Sequence, residues 1–313
     1  MQRVADMSRS LLDILLFDRT SRKNILWATS DYEDIGPDFA AGGEIKPELI
    51  TGAHSELIQS RVMKAQHQQQ GRTRDKAEVF TPSWVCNEQN NLIDNQWFGR
   101  EGVFNTASGT CWIVSPETIV FPQRGMRTWK RYVDAKRLEI TCGEAPYLVS
   151  RYDTVTGEVI PIDKRIGLLD RKLRVVNENT SSEEDWLIWA KRAVQSCYGY
   201  EFQGDSLLLA RQNILFSYIE YYEQRLHREP SLKELNSIAL IISWNLWQMD
   251  GMSYAIPFTK VIEGPQQLSF DSLFDSGEQE SLSGDPKLTL CKIKDWRANE
   301  TIVFRNLVKE AKA

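Results

Sequence analysis

The residues that could do chemistry in this chain stand at the ends of short apolar segments. Residues 137–141 are a buried-strand candidate, and Cys142 and Gly143 follow directly. A glycine turn after a strand can bring backbone N–H groups against a ligand, although one glycine is a weak signal on its own. Glu201 lies in a second strand candidate over 200–203, and Asp250 stands at the end of a third that follows residue 244. Because ligands of α/β proteins bind at the carboxyl ends of strands, this pattern predicts a ligand site there.

Other catalytic constellations are missing from the sequence. The three histidines are far apart and have no clustered acids or cysteines beside them: His54, His67 and His227. The five cysteines include no CxxC pair, which argues against a disulfide framework and a structural zinc site: Cys86, Cys111, Cys142, Cys197 and Cys291. No phosphate-binding loop occurs, which speaks against an ATP-driven translocase. We therefore predict no metal site.

Four stretches of the chain follow one another in a familiar order: Ala77–Val85, Leu138–Leu148, Tyr198–Arg211 and Trp244–Gly251. The first three are similar to the series "FFTP" before a helix, "LDPACGTGGFL" and "YGQEINPETYRLAR". In this series the chain resembles adenine-N6 DNA methyltransferases, and most closely the modification (M) subunits of restriction–modification systems. The resemblance covers residues 77–251.

The resemblance implies an α/β fold with a Rossmann-like S-adenosylmethionine-dependent methyltransferase core and a helical N-terminal region. It implies that Thr81 touches the methionine part of the cofactor, that Glu201 takes the ribose hydroxyls and that Asp250 accepts from the adenine amino group. The full set of implied cofactor-binding residues is Phe80, Thr81, Pro82, Glu139, Cys142, Gly143, Glu144, Glu201 and Asp250.

Several of these assignments have an alternative or depart from the family's pattern. Asp205 competes with Glu201 for the ribose, but capping of the helix that begins at Ser206 explains Asp205 well. Asp250 precedes a glycine, as a turn aspartate does. Phe80-Thr81-Pro82 can be a loop whose proline starts a helix at Ser83. The second glycine of the family's first motif is Ala145 here, and alanine is less permissive of positive φ.

The catalytic motif of the adenine-N6 enzymes, Asn/Asp/Ser-Pro-Pro-Tyr/Phe, does not occur. Lys294–Arg297 stands at roughly that place, with an acid and an aromatic residue but no prolines. The catalytic residues therefore stay unassigned. Two hypotheses follow: a DNA adenine-N6 methyltransferase-like modification subunit that needs a partner for catalysis, and a catalytically inactive methyltransferase-like module that binds DNA or protein.

Strand and helix candidates alternate from residue 136 onward, which favours βαβ units and a parallel sheet. We expect a mostly helical region over 1–76, including a helix over 48–66. A methyltransferase-like core follows over 77–262, with a helix beginning at 146–152 and a polar, basic insertion over 153–182. An acidic loop over 263–286 and a C-terminal strand pair over 287–313 complete the chain.

Charge and composition bear on partners and location. The net charge is −5, but basic residues gather at 61–76, 124–137 and 164–174, which could place phosphate contacts on one face. The expected partners are DNA and, from the resemblance, a restriction subunit, a specificity subunit or a second catalytic polypeptide. No run of about eighteen apolar residues occurs, so we expect no membrane span. The cysteine usage and the absence of a secretory signal fit a cytoplasmic protein.

Overall fold

A computed structural model describes residues 7–64, 81–122, 127–259 and 289–310. Its helices are α1 (Arg9–Leu16), α2 (Ser83–Phe98), α3 (Trp129–Asp134), α4 (Leu168–Asn179), α5 (Glu183–Gln195), α6 (Gly204–Leu226), α7 (Leu232–Asn245) and α8 (Phe304–Glu310). Its strands are β1 (Asn105–Ser108), β2 (Cys111–Val114), β3 (Arg137–Glu139), β4 (Cys197–Glu201), β5 (Leu246–Gln248), β6 (Lys292–Asp295) and β7 (Glu300–Val303).

The centre of the described fold is a parallel sheet of three strands in the order β3-β4-β5. Two helices, α4 and α5, connect β3 to β4, and α6 and α7 connect β4 to β5. Parallel neighbours need such crossovers, so the predicted alternation of strands and helices is confirmed. The described chain thus mixes helix and sheet in agreement with an α/β class.

The two faces of the sheet are covered by different elements. Small and aliphatic side chains of one face pack with α1 and with α4 to α7 in the main hydrophobic core, which includes Cys197 and Leu246. Tyr198, Tyr200 and Trp247 point to the other face, where they pack with residues of the C-terminal hairpin and α8. The hairpin strands β6 and β7 pair with each other in antiparallel register.

Strand β4 begins earlier than the sequence indicates. We predicted it over 200–203, and it runs over Cys197–Glu201 with all five residues buried. A strand covered on both faces has no alternation of apolar and polar residues, so its bounds are hard to read from the pattern. The segment 99–130, whose Gly, Thr, Ser and Pro content predicts a loop or a small hairpin, contains the antiparallel pair β1 and β2.

The predicted helix at 146–152 is absent. The N–H of Ser150, which a helix would bond to the carbonyl of Pro146, donates to Asp170 instead. The predicted helix over 48–66 is also wrong as far as residue 64. Three-residue 3₁₀ turns replace it, and the positive φ of Gly52, 61°, is incompatible with a continuous helix.

The segment 153–182 is not a solvated basic insertion. Its helix α4 buries Arg171 and Lys172 completely. Arg171 forms an ion pair with Asp94 at 2.6 Å, and Lys172 donates to the carbonyl of Ala135 and to Ser196 Oγ, both at 2.6 Å. These two cations are used inside the fold.

The N-terminal residues dock onto the sheet through the end of β5. The amide of Gln248 donates to the carbonyl of Leu26 at 2.9 Å, and its Oε1 accepts from the N–H of Leu26 at 2.7 Å. Gly204 lies so close to Leu26 that an added Cβ would meet the Leu26 carbonyl oxygen at 1.9 Å. None of the described helices is long and apolar enough to cross a membrane.

Candidate functional site

A cavity of about 730 Å³ opens at the carboxyl ends of β3 and β4. Helix α2 and the segment before it form the opposite wall. The residues that line it are Thr81, Gln89, Asn90, Ile93, Leu138, Glu139, Ile140, Thr141, Cys142, Gly143, Pro146, Tyr147, Leu168, Glu201, Phe202, Gln203 and Ser206. Five of the sequence-predicted site residues therefore meet around one space: Thr81, Glu139, Cys142, Gly143 and Glu201.

The floor of the cavity is the tight turn that follows β3. Three of its residues adopt the left-handed region: Thr141 at φ 45°, Gly143 at φ 51° and Ala145 at φ 63°. Ala145 stands where the resembling family has glycine, and it adopts this conformation while fully buried. A left-handed alanine costs about 1 kcal/mol, so the turn persists only because other contacts fix it.

Glu201 ends β4 and is joined to the turn. Its Oε2 accepts from the N–H of Gly143 at 2.8 Å, and its Oε1 accepts from the N–H groups of Phe202 and Gln203 at 2.8 and 3.2 Å. Burial raises the pKa of this carboxyl above its usual value, while the three N–H donors act in the opposite direction. The acid of one strand and the turn of its neighbour thus form a single unit.

Glu139 is the second carboxyl group of the cavity. It accepts from the backbone N–H groups of Tyr147 and Leu148 at 3.3 and 3.1 Å. Burial raises its pKa to about 8, and the charge of Glu201 adds to this rise. The group is therefore largely protonated at neutral pH and is poised to ionise when a cation enters.

Cys142 joins β3 to β4 through its backbone. Its N–H donates to the carbonyl of Tyr200 at 2.8 Å, which carries the pairing of β3 and β4 beyond the strand. Burial raises the pKa of its thiol well above the usual value, so the thiolate is suppressed. The side chain packs on Gly199, where an added Cβ would lie 3.2 Å from the sulfur.

The segment before α2 contributes Thr81 to the cavity wall, and its carbonyl accepts from Thr154 Oγ1 at 3.1 Å. Pro82 directly precedes the helix, which begins at Ser83 as its proline predicts. Pro82 does not line the cavity. Phe80, the acidic loop over 263–286 and most of the basic stretch over 61–76 lie outside the described residues.

Glu144 and Asp250 lie elsewhere. The carboxylate of Glu144 accepts from the hydroxyl of Tyr152 in the buried interior. Asp250 closes a turn, where its carboxylate accepts from the N–H of Met252 at 2.9 Å and from Ser253 Oγ at 3.0 Å. Neither side chain lines the cavity, and the contacts of Asp250 match its structural alternative.

Asp205, the competitor for the ribose-binding role, is fully buried in the first turn of α6. Its carboxylate accepts from the hydroxyl of Tyr32 at 2.7 Å and pairs with Lys64 at 3.3 Å. These contacts tie α6 to the N-terminal region. Asp205 does not line the cavity, so of these two candidates for the ribose only Glu201 can meet a ligand there.

Sequence reasoning missed the polar face of α2. Asn90 lines the cavity and donates from Nδ2 to the carbonyls of Tyr147 and Ile166, both at 3.0 Å. This helix buries asparagines and leaves Leu92 exposed, the reverse of an ordinary amphipathic helix. The high asparagine content of this otherwise helical segment is the sequence signal that could have predicted this polar face.

No family model, curated protein or solved structure matches this chain. Across the described ranges, no three histidine, cysteine, aspartate or glutamate side chains are grouped to hold a metal ion. A second cavity of about 450 Å³ is lined by Arg165, Arg171 and Arg174, but each guanidinium is engaged by a carboxylate of the fold. The cavity at β3 and β4 is therefore the better candidate site.

Proposed function

We propose that this chain is a DNA adenine-N6 methyltransferase-like modification subunit with a Rossmann-like core that binds S-adenosylmethionine at β3 and β4. The observation that carries the proposal is the 2.8 Å hydrogen bond from Gly143 to Glu201. It joins two motifs that lie 58 residues apart in the sequence, at the carboxyl ends of neighbouring parallel strands. Ligands of open α/β sheets bind at such places.

The polar side chains of the cavity fit the cofactor. S-Adenosylmethionine carries a sulfonium and an ammonium cation and two ribose hydroxyls, and the cavity offers two buried carboxyl groups, Glu139 and Glu201. Glu139 would face the cationic part and Glu201 the hydroxyls. The volume of about 730 Å³ lies in the usual range for sites of this ligand size. When bound, the cofactor supplies an electrophilic methyl group.

Titration calorimetry of S-adenosylmethionine into the protein tests the proposal. We expect micromolar binding that Glu201→Ala abolishes, because the ribose hydroxyls lose their acceptor. Asp205→Asn is the matched control, since it changes a buried acid of the same segment that does not line the cavity. A lack of binding up to millimolar cofactor would sink the proposal.

The alternative function is a catalytically inactive methyltransferase-like module that binds DNA or protein. The missing Pro-Pro-aromatic motif and the engagement of Asp250 in its own turn favour it. Transfer of a labelled methyl group to adenine-containing DNA separates the two functions. Transfer by the chain with a partner polypeptide supports the modification subunit, whereas cofactor binding without transfer under any condition supports the module.

A further inference from the structure

A buried trio of polar side chains holds the turn after β3 from behind. The hydroxyl of Tyr152 donates to the carboxylate of Glu144. Asn213, on α6, donates from Nδ2 to the backbone carbonyl of Glu144 and to the hydroxyl oxygen of Tyr152, both at 3.0 Å. All three residues are less than one-tenth exposed. The trio therefore fixes both the backbone and the side chain of one turn residue.

The turn needs such support because its conformation is unfavourable. Glu144 lies between Gly143 and Ala145, both of which have positive φ. Alanine, unlike glycine, is sterically disfavoured in this conformation. Gly143 is also the residue whose N–H reaches Glu201. A shift of the backbone at Glu144 would thus move the donor that closes the floor of the cavity.

We propose that Glu144, Tyr152 and Asn213 are positioning residues that hold the Thr141–Ala145 turn in its ligand-ready form. Glu144 then acts on the site through the backbone, not through contact with the cofactor. This inference rests on the proposed function only for the identity of the ligand. The coupling between the trio and the turn is a property of the free protein.

Hydrogen exchange of the free protein tests that coupling, with the amides of Cys142 and Gly143 as reporters. Both are hydrogen-bonded, to Tyr200 and to Glu201. We expect Tyr152→Phe and Asn213→Leu to speed their exchange about tenfold, because the turn opens more often. Tyr152→Phe deletes one oxygen only, so it keeps the test usable if Asn213→Leu does not fold.

Tyr132→Phe is the matched control. It also deletes a buried hydroxyl that donates to a carboxylate, that of Asp94 at 2.9 Å, but the hydroxyl contacts α2 and not the turn. We expect Tyr132→Phe to leave the two reporter amides unchanged. Equal exchange at Cys142 and Gly143 in the wild type, Tyr152→Phe and Asn213→Leu would overturn the positioning role. Faster exchange in Tyr132→Phe as well would show general loosening and overturn it too.

Affinity for S-adenosylmethionine provides the second readout. We expect Tyr152→Phe to weaken binding about tenfold and Glu144→Gln to preserve it, because an amide oxygen still accepts from Tyr152. A Glu144→Gln variant that loses binding with unchanged exchange would indicate direct contact and contradict the inference. Absence of binding by the wild type, with altered exchange in the variants, would reject the proposed ligand and leave the positioning role standing.

Discussion

Two carboxyl groups in one buried space set the chemistry of the site at the residue scale. Glu201 is held by three backbone N–H donors, whereas Glu139 has two such donors and a pKa raised to about 8. The two carboxyl groups would suit different parts of one ligand. Glu201, which is fixed in place, would accept hydrogen bonds from neutral hydroxyls. Glu139 would lose its proton beside a cation and pair with it.

Stability should depend on pH through Glu139. The pKa of Glu139 in the folded protein lies above the unfolded value of 4.5. Its contribution to the free energy of unfolding is therefore fully present below about pH 4.5 and is lost as pH rises through about 8. Between these values the loss is about 1.4 kcal/mol per pH unit at most. We expect Glu139→Gln to remove this slope in urea unfolding at pH 5, 7 and 9. Parallel slopes in the two proteins would contradict the assignment.

Binding of S-adenosylmethionine should release a proton from Glu139 below pH 8. A cation favours the ionised carboxyl, so affinity should rise up to about tenfold per pH unit between pH 6 and 8. Calorimetry in two buffers of different ionisation enthalpy measures the release. Glu139→Gln should bind more weakly and without this pH dependence. The same proton count in the variant would assign the release to another group.

At the scale of the elements, the fit of β4 against the turn decides the shape of the cavity floor. An alanine methyl at Gly199 would approach both Sγ and Cβ of Cys142, at 3.2 and 3.3 Å. We expect Gly199→Ala to displace the turn, to lower the free energy of unfolding by about 1–3 kcal/mol and to weaken cofactor binding. Adding Cys142→Gly removes both contacts and should restore binding. No recovery in the double variant would mean that the contact with Cys142 is not the cause.

A buried guanidinium joins the elements that surround the sheet. Arg211, on α6, donates to the carbonyls of Leu246 at the start of β5, Ser243 near the end of α7, and Leu15 and Phe17 at the end of α1. Arg211→Met leaves these buried acceptors without a donor, so we expect a loss of about 3 kcal/mol or more in urea unfolding. Arg174→Met, which removes a partly exposed guanidinium, should cost about 1 kcal/mol. Equal losses in the two variants would argue against the joining role.

At the scale of the whole molecule, the sequence predicted the helices and strands that depend on a local pattern of residues. The sequence predicts helices over 183–196, 206–226 and 232–243, and α5, α6 and α7 are found there. The predicted strand over 137–141 is present as β3 over its first three residues. The meeting of Thr81, Glu139 and Glu201 at one cavity follows from the order of the motifs once the strands are parallel.

The structural features that the sequence did not predict depend on contacts between residues that lie far apart in the chain. Helix α4 looked like a polar insertion because nothing in its sequence shows that Asp94 would neutralise Arg171 from α2. Residues 146–152 looked helical because the competing acceptor, Asp170, comes from another element. The contact between Asn213 and the backbone of Glu144 joins residues that lie 69 apart in the sequence, so the motifs alone do not show it.

Hydrogen–deuterium exchange with and without S-adenosylmethionine tests the central claim most directly, because it asks where the ligand binds. We predict that saturating cofactor slows exchange in segments 139–148 and 201–206, which form the floor and one wall of the cavity. Segment 171–179, which borders the second cavity and contributes no residue to the first, should stay unchanged. Protection confined to other segments, or none at millimolar cofactor, would contradict a cofactor site at the ends of β3 and β4.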